Sequence, residues 1–479
     1  MAGFVLAAAV LGMGIVLHVL GWTALNSEAG GNCGRFEGPC PQGLTGVLLL
    51  AFGCTFAGLG GLAFMDSALE KRGTLPRRHR RWSAIIAVVG VLAGVWPGAL
   101  VYDGLRGEFL EVRWSAPLDR PAGVTGVGSW VDGDLVVRAR TDRLVGYTTT
   151  GTAWTTEVPG RAALCTMSRD VEDGVGLVGW AADGQPCATV VAVDLRTGKS
   201  LWQLTRTASD RYGDTIAGDE LAVTPGLAVF TEPTGLSAVG LREHDERWRL
   251  DVEPGCTPAG VAASADQVAM LVNCGNAGLR VVVVDPASGR ERWRAEVPVE
   301  PPMASVALLA ARPVVVRAVE EGSRTEDVVI SFSDEGQVQA RIPRSGPDYD
   351  MPPVEQAYWR ARPVRRLVVR DDLLIAPVSA PGEDRRTAVA AFSLKTGTQL
   401  WRTAIDGDVV TVESTTGGLV VATNRLYLDE LSPADGAVTA TLPVRGEWWV
   451  YDVDLRKVGD RYAVIASDGT KEPPVVMVG

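Results

Sequence analysis

The eleven residues AVDLRTGKSLW at 192–202 carry the reading of the fold. Apolar alternation up to Asp194 reads as a strand, and Asp194 and Thr197 are placed to accept from turn N–H groups ahead of them. Gly198 supplies the positive φ of a tight hairpin that ends in a bulge. Trp202 then lies on the outgoing strand, where its indole has about 150–250 Å² to bury. The pattern recurs as VVDPASGRERW at 283–293, with Asp285, Gly289 and Trp293 in the same slots. A third copy, AFSLKTGTQLW at 391–401, keeps Gly397 and Trp401 but has Ser393 in place of the aspartate.

Weaker copies end at Trp154, Trp248, Ala340 and Ala440, and Trp114 occupies the matching place on a strand with no copy before it. These eight anchors are spaced at about 40–48 residues, with one interval of 61. That period is the length of a four-stranded propeller blade. Seven intervals, plus a tail from Thr441 closed by the strand around Trp114, predict eight blades. Seven blades is the alternative if the tail is irregular. Closure of the ring removes the free strand edges that would template aggregation. The expected class is therefore an all-β propeller over 109–479, preceded by three transmembrane helices over 1–102.

The stem is read from hydropathy. The runs 3–22, 44–65 and 83–102 are each about twenty residues long and contain no Asp, Glu, Lys or Arg. That length crosses roughly 30 Å of hydrocarbon as a helix. A cleaved signal peptide is the alternative for the first run, which lacks a basic leader and is long for such a segment. The loop between the second and third runs holds Lys71, Arg72, Arg77, Arg78, Arg80 and Arg81, and basic loops stay inside. The expected topology places the N-terminus in the cytoplasm, the stem in the cytoplasmic membrane and the propeller outside. Four glycines of the second run, Gly53, Gly58, Gly60 and Gly61, offer close approach to a neighbouring helix.

Cysteine placement agrees with that topology. Cys33 and Cys40 share the first outward loop, Cys165 and Cys187 are 22 residues apart, and Cys256 and Cys274 are 18 apart. All six would face an oxidising compartment, leaving Cys54 within the bilayer. Adjacent pairing is geometrically simple, and a zinc reading lacks both a CxxC and a nearby histidine cluster.

Charge excludes one class of partner. The first 102 residues hold seven Lys/Arg against four Asp/Glu, leaving 39 basic against 53 acidic residues in the remainder. Such a surface repels phosphate backbones, so nucleic acid is not expected.

The repeat A-x-D-x-x-T-G-x-x-x-W resembles that of the pyrroloquinoline-quinone-like β-propellers, the family of quinoprotein dehydrogenases and of the BamB-like assembly lipoproteins. Residues 192–202 match it at every fixed position, and the resemblance extends over roughly 109–479. It implies a scaffold more than an activity. A quinoprotein dehydrogenase would imply a vicinal Cys–Cys pair over the quinone and a calcium site; no adjacent cysteines occur in the chain. GxSxG, HExxH and P-loop motifs are also missing, and the three histidines, His18, His79 and His244, are scattered. The expectation is a membrane-held binding platform without catalytic residues, metal or cofactor, a quinone-dependent oxidoreductase being the alternative.

The largest departure from the repeat, between Ala340 and Trp401, contains RSGPDYDMPPVEQAYWRARPVRR. Its Tyr349, Tyr358, Trp359 and Arg360 are of the residue types that anchor protein interfaces and form the candidate contact surface for a protein partner, a tolerated surface insertion being the alternative. Asp348 and Asp350 are a weak cation candidate. Trp448, Trp449 and Tyr451 are a second aromatic group, read as strand core.

Overall fold

The computed structural model describes residues 2–29, 40–70, 77–118, 126–182, 185–207, 220–301, 303–321, 326–353, 367–424, 427–445, 453–466 and 473–479. The chain divides into two compact units, one of Met1–Glu111 with Leu442–Trp448, the other of Val112–Thr441 with Trp449–Gly479.

Three helices dominate the first unit: α1 (Ala2–Ala29), α2 (Leu44–Glu70) and α3 (Arg77–Arg106). Their stretches Gly3–Asn26, Leu44–Met65 and Ala87–Arg106 are long and apolar enough to cross a membrane. α1 lies between the other two, and glycines set the distance. A Cβ at Gly58 of α2 would sit 2.7 Å from the Leu11 backbone, and one at Gly94 of α3 would sit 2.0 Å from the Ala9 carbonyl oxygen. Gly61 also meets α1, at Ala7, but Gly53 and Gly60 have nothing within 4 Å and so do not mediate helix contact. His18 packs edge-on against Phe52 at 4.6 Å, and the free Cys54 is buried.

Among the described residues the strands form six four-stranded sheets and one of eight strands, in which two four-stranded blades are joined by the parallel pairing of Leu110 with Val444. Blades 1 to 7 occupy 126–157, 163–205, 221–251, 257–297, 303–343, 368–404 and 409–445 in order. Blade 8 takes three strands from 453–478, and the Leu110–Ser115 strand is its fourth and outermost. That strand pairs antiparallel with the end of the chain, Val112 opposite Val478 and Ser115 opposite Val476. Eight blades are thus closed by an early strand on late ones, as the Trp114 spacing predicts.

The core is not central but divided among the seams between blades. Each seam cluster draws from two neighbouring blades, as in Leu177, Val190 and Ala192 of blade 2 with Leu221, Val223 and Phe230 of blade 3. A sheet with both faces against neighbours must be apolar throughout its middle strands, which is why these strands read as unbroken Val, Ala and Leu runs.

The repeat residues act across these seams. Trp154 of blade 1 donates its indole N–H to the Leu195 carbonyl of blade 2 at 2.8 Å. Trp202 donates to Leu241 of blade 3 at 2.8 Å, Trp248 to Pro286 of blade 4 at 2.7 Å, and Trp401 to Pro433 of blade 7 at 3.0 Å. The acceptor always lies three residues before the glycine slot of the next blade. Asp194 and Asp285 cap their turns as expected, each accepting from the residue three positions on at 2.9–3.0 Å. Gly198 has φ +69°, and a Cβ there would lie 2.3 Å from the Trp154 ring. The glycine is therefore required twice, for backbone sign and for room beneath the indole.

His244 fills the glycine slot of blade 3. It keeps the positive φ, +61°, and stacks on Trp202 at 4.9 Å with the rings 26° apart. A lone histidine that suggested nothing in sequence is a substitute for glycine, held by the indole it covers. Trp114 closes the last seam against Tyr147 of blade 1, ring centres 5.9 Å apart. Trp293 packs on Phe332 at 6.1 Å, but the turn beneath it runs only from Ser333 to Gln337, one residue shorter than usual. Its indole nitrogen is buried with no acceptor among the described residues.

Two disulfides each lie within one blade: Cys165–Cys187 in blade 2 and Cys256–Cys274 in blade 4, with Cα separations of 6.0 and 4.1 Å. Cys40 is also disulfide-bonded, while Cys33 lies outside the described residues.

Candidate functional site

Two seams lack tryptophan, and the longest connection between blades lies over one of them. Blade 5 ends in Ala340 where the repeat has its indole, so the blade 6 carbonyl three before Gly397, that of Leu394, has no indole N–H to accept. Ser331, paired directly opposite Ala340, supplies a hydroxyl instead and donates to Leu394. The missing ring volume comes from the connection itself. Tyr349 and Met351 enter the blade 5–blade 6 cluster, with Tyr349 against Phe392 at 4.7 Å.

Tyr349 is consequently not a surface anchor. It is 7% exposed, its hydroxyl donates to the Pro343 carbonyl at 3.0 Å, and burial pushes its phenol pKa up. The expectation that it belongs to an open interface is corrected: the ring is drawn inward because the seam has a vacancy the size of an aromatic side chain. Tyr358, Trp359 and Arg360 lie outside the described residues, as do Trp448, Trp449 and Tyr451.

The root of the connection is tied down residue by residue. Gly346 donates to the Tyr349 carbonyl at 2.8 Å, making a small hairpin, and Met351 donates back to Arg344 at 2.9 Å. Asp350 exchanges backbone hydrogen bonds with Ser379 of blade 6 at 3.0 and 3.1 Å. Its carboxylate accepts from the Gly382 N–H at 3.0 Å. The Ser345 hydroxyl, then that N–H and the Arg344 charge, hold the Asp350 carboxyl below the ordinary range. Those donors satisfy it locally, so the Asp348–Asp350 pair does not require a cation. Arg317 of blade 5 makes a two-point pair with Asp327, 2.8 and 2.7 Å, and donates to the Pro352 carbonyl at 2.8 Å. Because Arg317 is buried, that fork is worth more than a surface pair. The connection leaves a rigid base at both blades.

The first strands of most neighbouring blades touch one another. There Arg456 of blade 8 contacts Glu413 of blade 7 at 3.4 Å and Asp454 at 3.1 Å. Asp454 accepts from Ser129 of blade 1 at 3.1 Å. Arg169 of blade 2 donates to the carbonyls of Leu308, at 2.9 Å, and Leu309, three blades round. The pairing follows charge and burial, and no sequence spacing announces it.

Both described propeller disulfides join cysteines 22 and 18 residues apart, so neither is a vicinal pair. Among the described residues there is no group of three or more His, Cys, Asp or Glu placed to hold a metal ion.

Residues 215–347 match the family described as outer membrane protein assembly factor BamB. No curated protein matches the chain. Among solved structures, BamB from Moraxella catarrhalis is similar at 16% identity and TM-score 0.44, over 77% of this chain and 97% of that one. A computationally designed protein, Ika8, is similar at 12% identity and TM-score 0.48, over 78% and 99%. The quinohemoprotein alcohol dehydrogenase ADHIIG from Pseudomonas putida HK5 is similar at 12% identity and TM-score 0.45, over 77% and 76%.

Proposed function

Taking the ring as a propeller of the pyrroloquinoline-quinone-like repeat kind, we propose that the chain is a non-catalytic docking platform. It is anchored in the cytoplasmic membrane by its three apolar helices, with the N-terminus inside and the propeller outside. It binds a protein or envelope ligand through the connection between blades 5 and 6. One observation carries this reading. The residues that open that connection, Tyr349, Asp350 and Pro352, are fastened to blades 5 and 6 by core packing, backbone pairing and the Arg317 fork. Tyr358, Trp359 and Arg360 follow within the same connection and are of the residue types that anchor protein interfaces.

The match of 215–347 to an assembly-factor family supports a binding role, and that segment contains the whole of blades 3 to 5 and the start of the connection. Crosslinking in native membranes followed by mass spectrometry tests it. The full chain should yield a recurrent partner joined near 354–366, and Tyr358→Ala with Trp359→Ala should weaken capture by at least tenfold. Dye reduction that depends on added quinone, with no partner recovered, would overturn the reading in favour of an oxidoreductase.

A further inference from the structure

We infer that Arg169 is a crossbar through the ring, tying blade 2 to blade 5 across the axis and closing the axial opening at that level. Its guanidinium donates to two successive backbone carbonyls of blade 5, that of Leu308 at 2.9 Å and that of Leu309. Blades three places apart in a ring of eight come within one side chain's reach only at the axis. The adjoining Asp170 also acts across the middle, its charge falling on Arg456 of blade 8, two places round in the other direction.

Both ends of the contact are built for it. At the donor end Arg169 is flanked by Ser168, which is fully buried. The Ser168 carbonyl accepts from the Trp130 indole of blade 1 at 2.8 Å, and its N–H donates to the Leu177 carbonyl at 2.8 Å. The Ser168 hydroxyl donates to the Asp170 carbonyl at 2.7 Å and accepts from the Leu177 N–H at 3.1 Å. The turn that carries Arg169 is thereby fixed on both sides of it.

At the acceptor end the strand Met303–Ala310 changes register between Leu308 and Ala310, so Leu309 has no opposite residue in the next strand. Such a bulge interrupts the alternation of the ladder and leaves two successive carbonyls free to face one way. The planar fork of a guanidinium matches that pair. The first strands of blades 1, 2, 4 and 7 shift register only near their opening ends, at Gly126/Gly128, Leu164/Thr166, Pro258/Gly260 and Val409/Thr411. A bulge at the closing end is peculiar to blade 5 among the described strands, and it is the one that meets the arginine. The inference rests on contacts inside the ring and not on the docking reading, so the two fail separately.

Hydrogen exchange of the full detergent-solubilised chain, read by mass spectrometry, tests the crossbar. Arg169→Met keeps the apolar stem of the side chain and removes every donor. It should speed exchange at Ala307–Ala311 by roughly ten- to a hundredfold, the worth of hydrogen bonds from a charged donor. Leu221–Thr224, in the adjacent blade 3, should keep its rate. Unchanged exchange at Ala307–Ala311, or acceleration confined to blade 2, overturns the inference. The natural chain gives a second reading without any variant. Phenylglyoxal, followed by peptide mass mapping, should modify Arg169 at least about tenfold more slowly than the exposed Arg196. Equal rates overturn the inference even if the methionine variant does not fold.

Discussion

The blade 2–blade 3 seam and the blade 5–blade 6 seam solve the same problem with different residues. In the first, one side chain both fills the gap and satisfies the turn of the next blade: Trp202, buried, donates to Leu241. In the second the two tasks are separated. Ser331 meets the carbonyl of Leu394, and Tyr349, delivered by a connection more than twenty residues long, fills the volume. The blade 7–blade 8 seam, which has Ala440, offers a third solution. Tyr462 of blade 8 donates to Glu430 of blade 7 at 3.0 Å. What these three seams share is an aromatic ring and a donor that bridges the two blades, not the residue that supplies them.

The comparison is most severely tested by Trp202→Ala. Loss of the ring and of its hydrogen bond should cost about 3–5 kcal/mol in urea unfolding of the detergent-solubilised chain. A loss below about 1 kcal/mol would mean that the seam does not depend on its indole. Next come the two glycines. Gly198→Ala forces a Cβ against the Trp154 ring at φ +69° and should cost about 2–4 kcal/mol. Gly397→Ala, at φ +75° but with only the Arg341 carbonyl oxygen at 3.0 Å, should cost about 1–2 kcal/mol. Equal costs would break the claim that the indole, as well as φ, selects glycine.

Restoring the repeat sharpens the point. Ala340→Trp should destabilise by about 1–3 kcal/mol, because Tyr349 already occupies the seam. Stabilisation would show that the seam is under-filled. The smallest effect is expected from Tyr462→Phe, about 1 kcal/mol at neutral pH. Burial first, and then the hydrogen bond to Glu430, raise the Tyr462 phenol pKa above its ordinary value near 10. A raised folded-state pKa means that the stabilisation is fully present below that ordinary value. It is lost only as pH climbs through the raised one. The gap between natural chain and variant, followed by urea midpoint, should therefore stay level from pH 7 to about 10 and close only beyond it.

Much of this architecture is legible in the sequence because the repeat residues work locally and at fixed separation. Asp194, Gly198 and Trp202 belong to one hairpin, and their recurrence counts the blades. The disulfide spacings of 22 and 18 are legible for the same reason. Tyr349 reads as a surface residue in the sequence because aromatic residues outside a repeat resemble interface anchors when their packing partner is remote. The missing indole at Ala340 was the available clue: a seam without its ring must take one from elsewhere, and Tyr349 is the next aromatic along the chain. Arg169, Arg456 and the Tyr462–Glu430 contact join residues from 32 to 140 positions apart, with no spacing rule to reveal them.

The pairing of Val112–Ser115 with Val476–Val478 carries a consequence in time. The strand that completes the last blade is the first propeller segment to be synthesised, and its neighbours are the last. Until those residues arrive, blade 1 and the Trp114 strand each present an unsatisfied flank, and the ring has no intermediate in which every edge is covered. The ring can therefore close only after Val475–Val478 has been made, and until then that flank stays open to pairing with another chain.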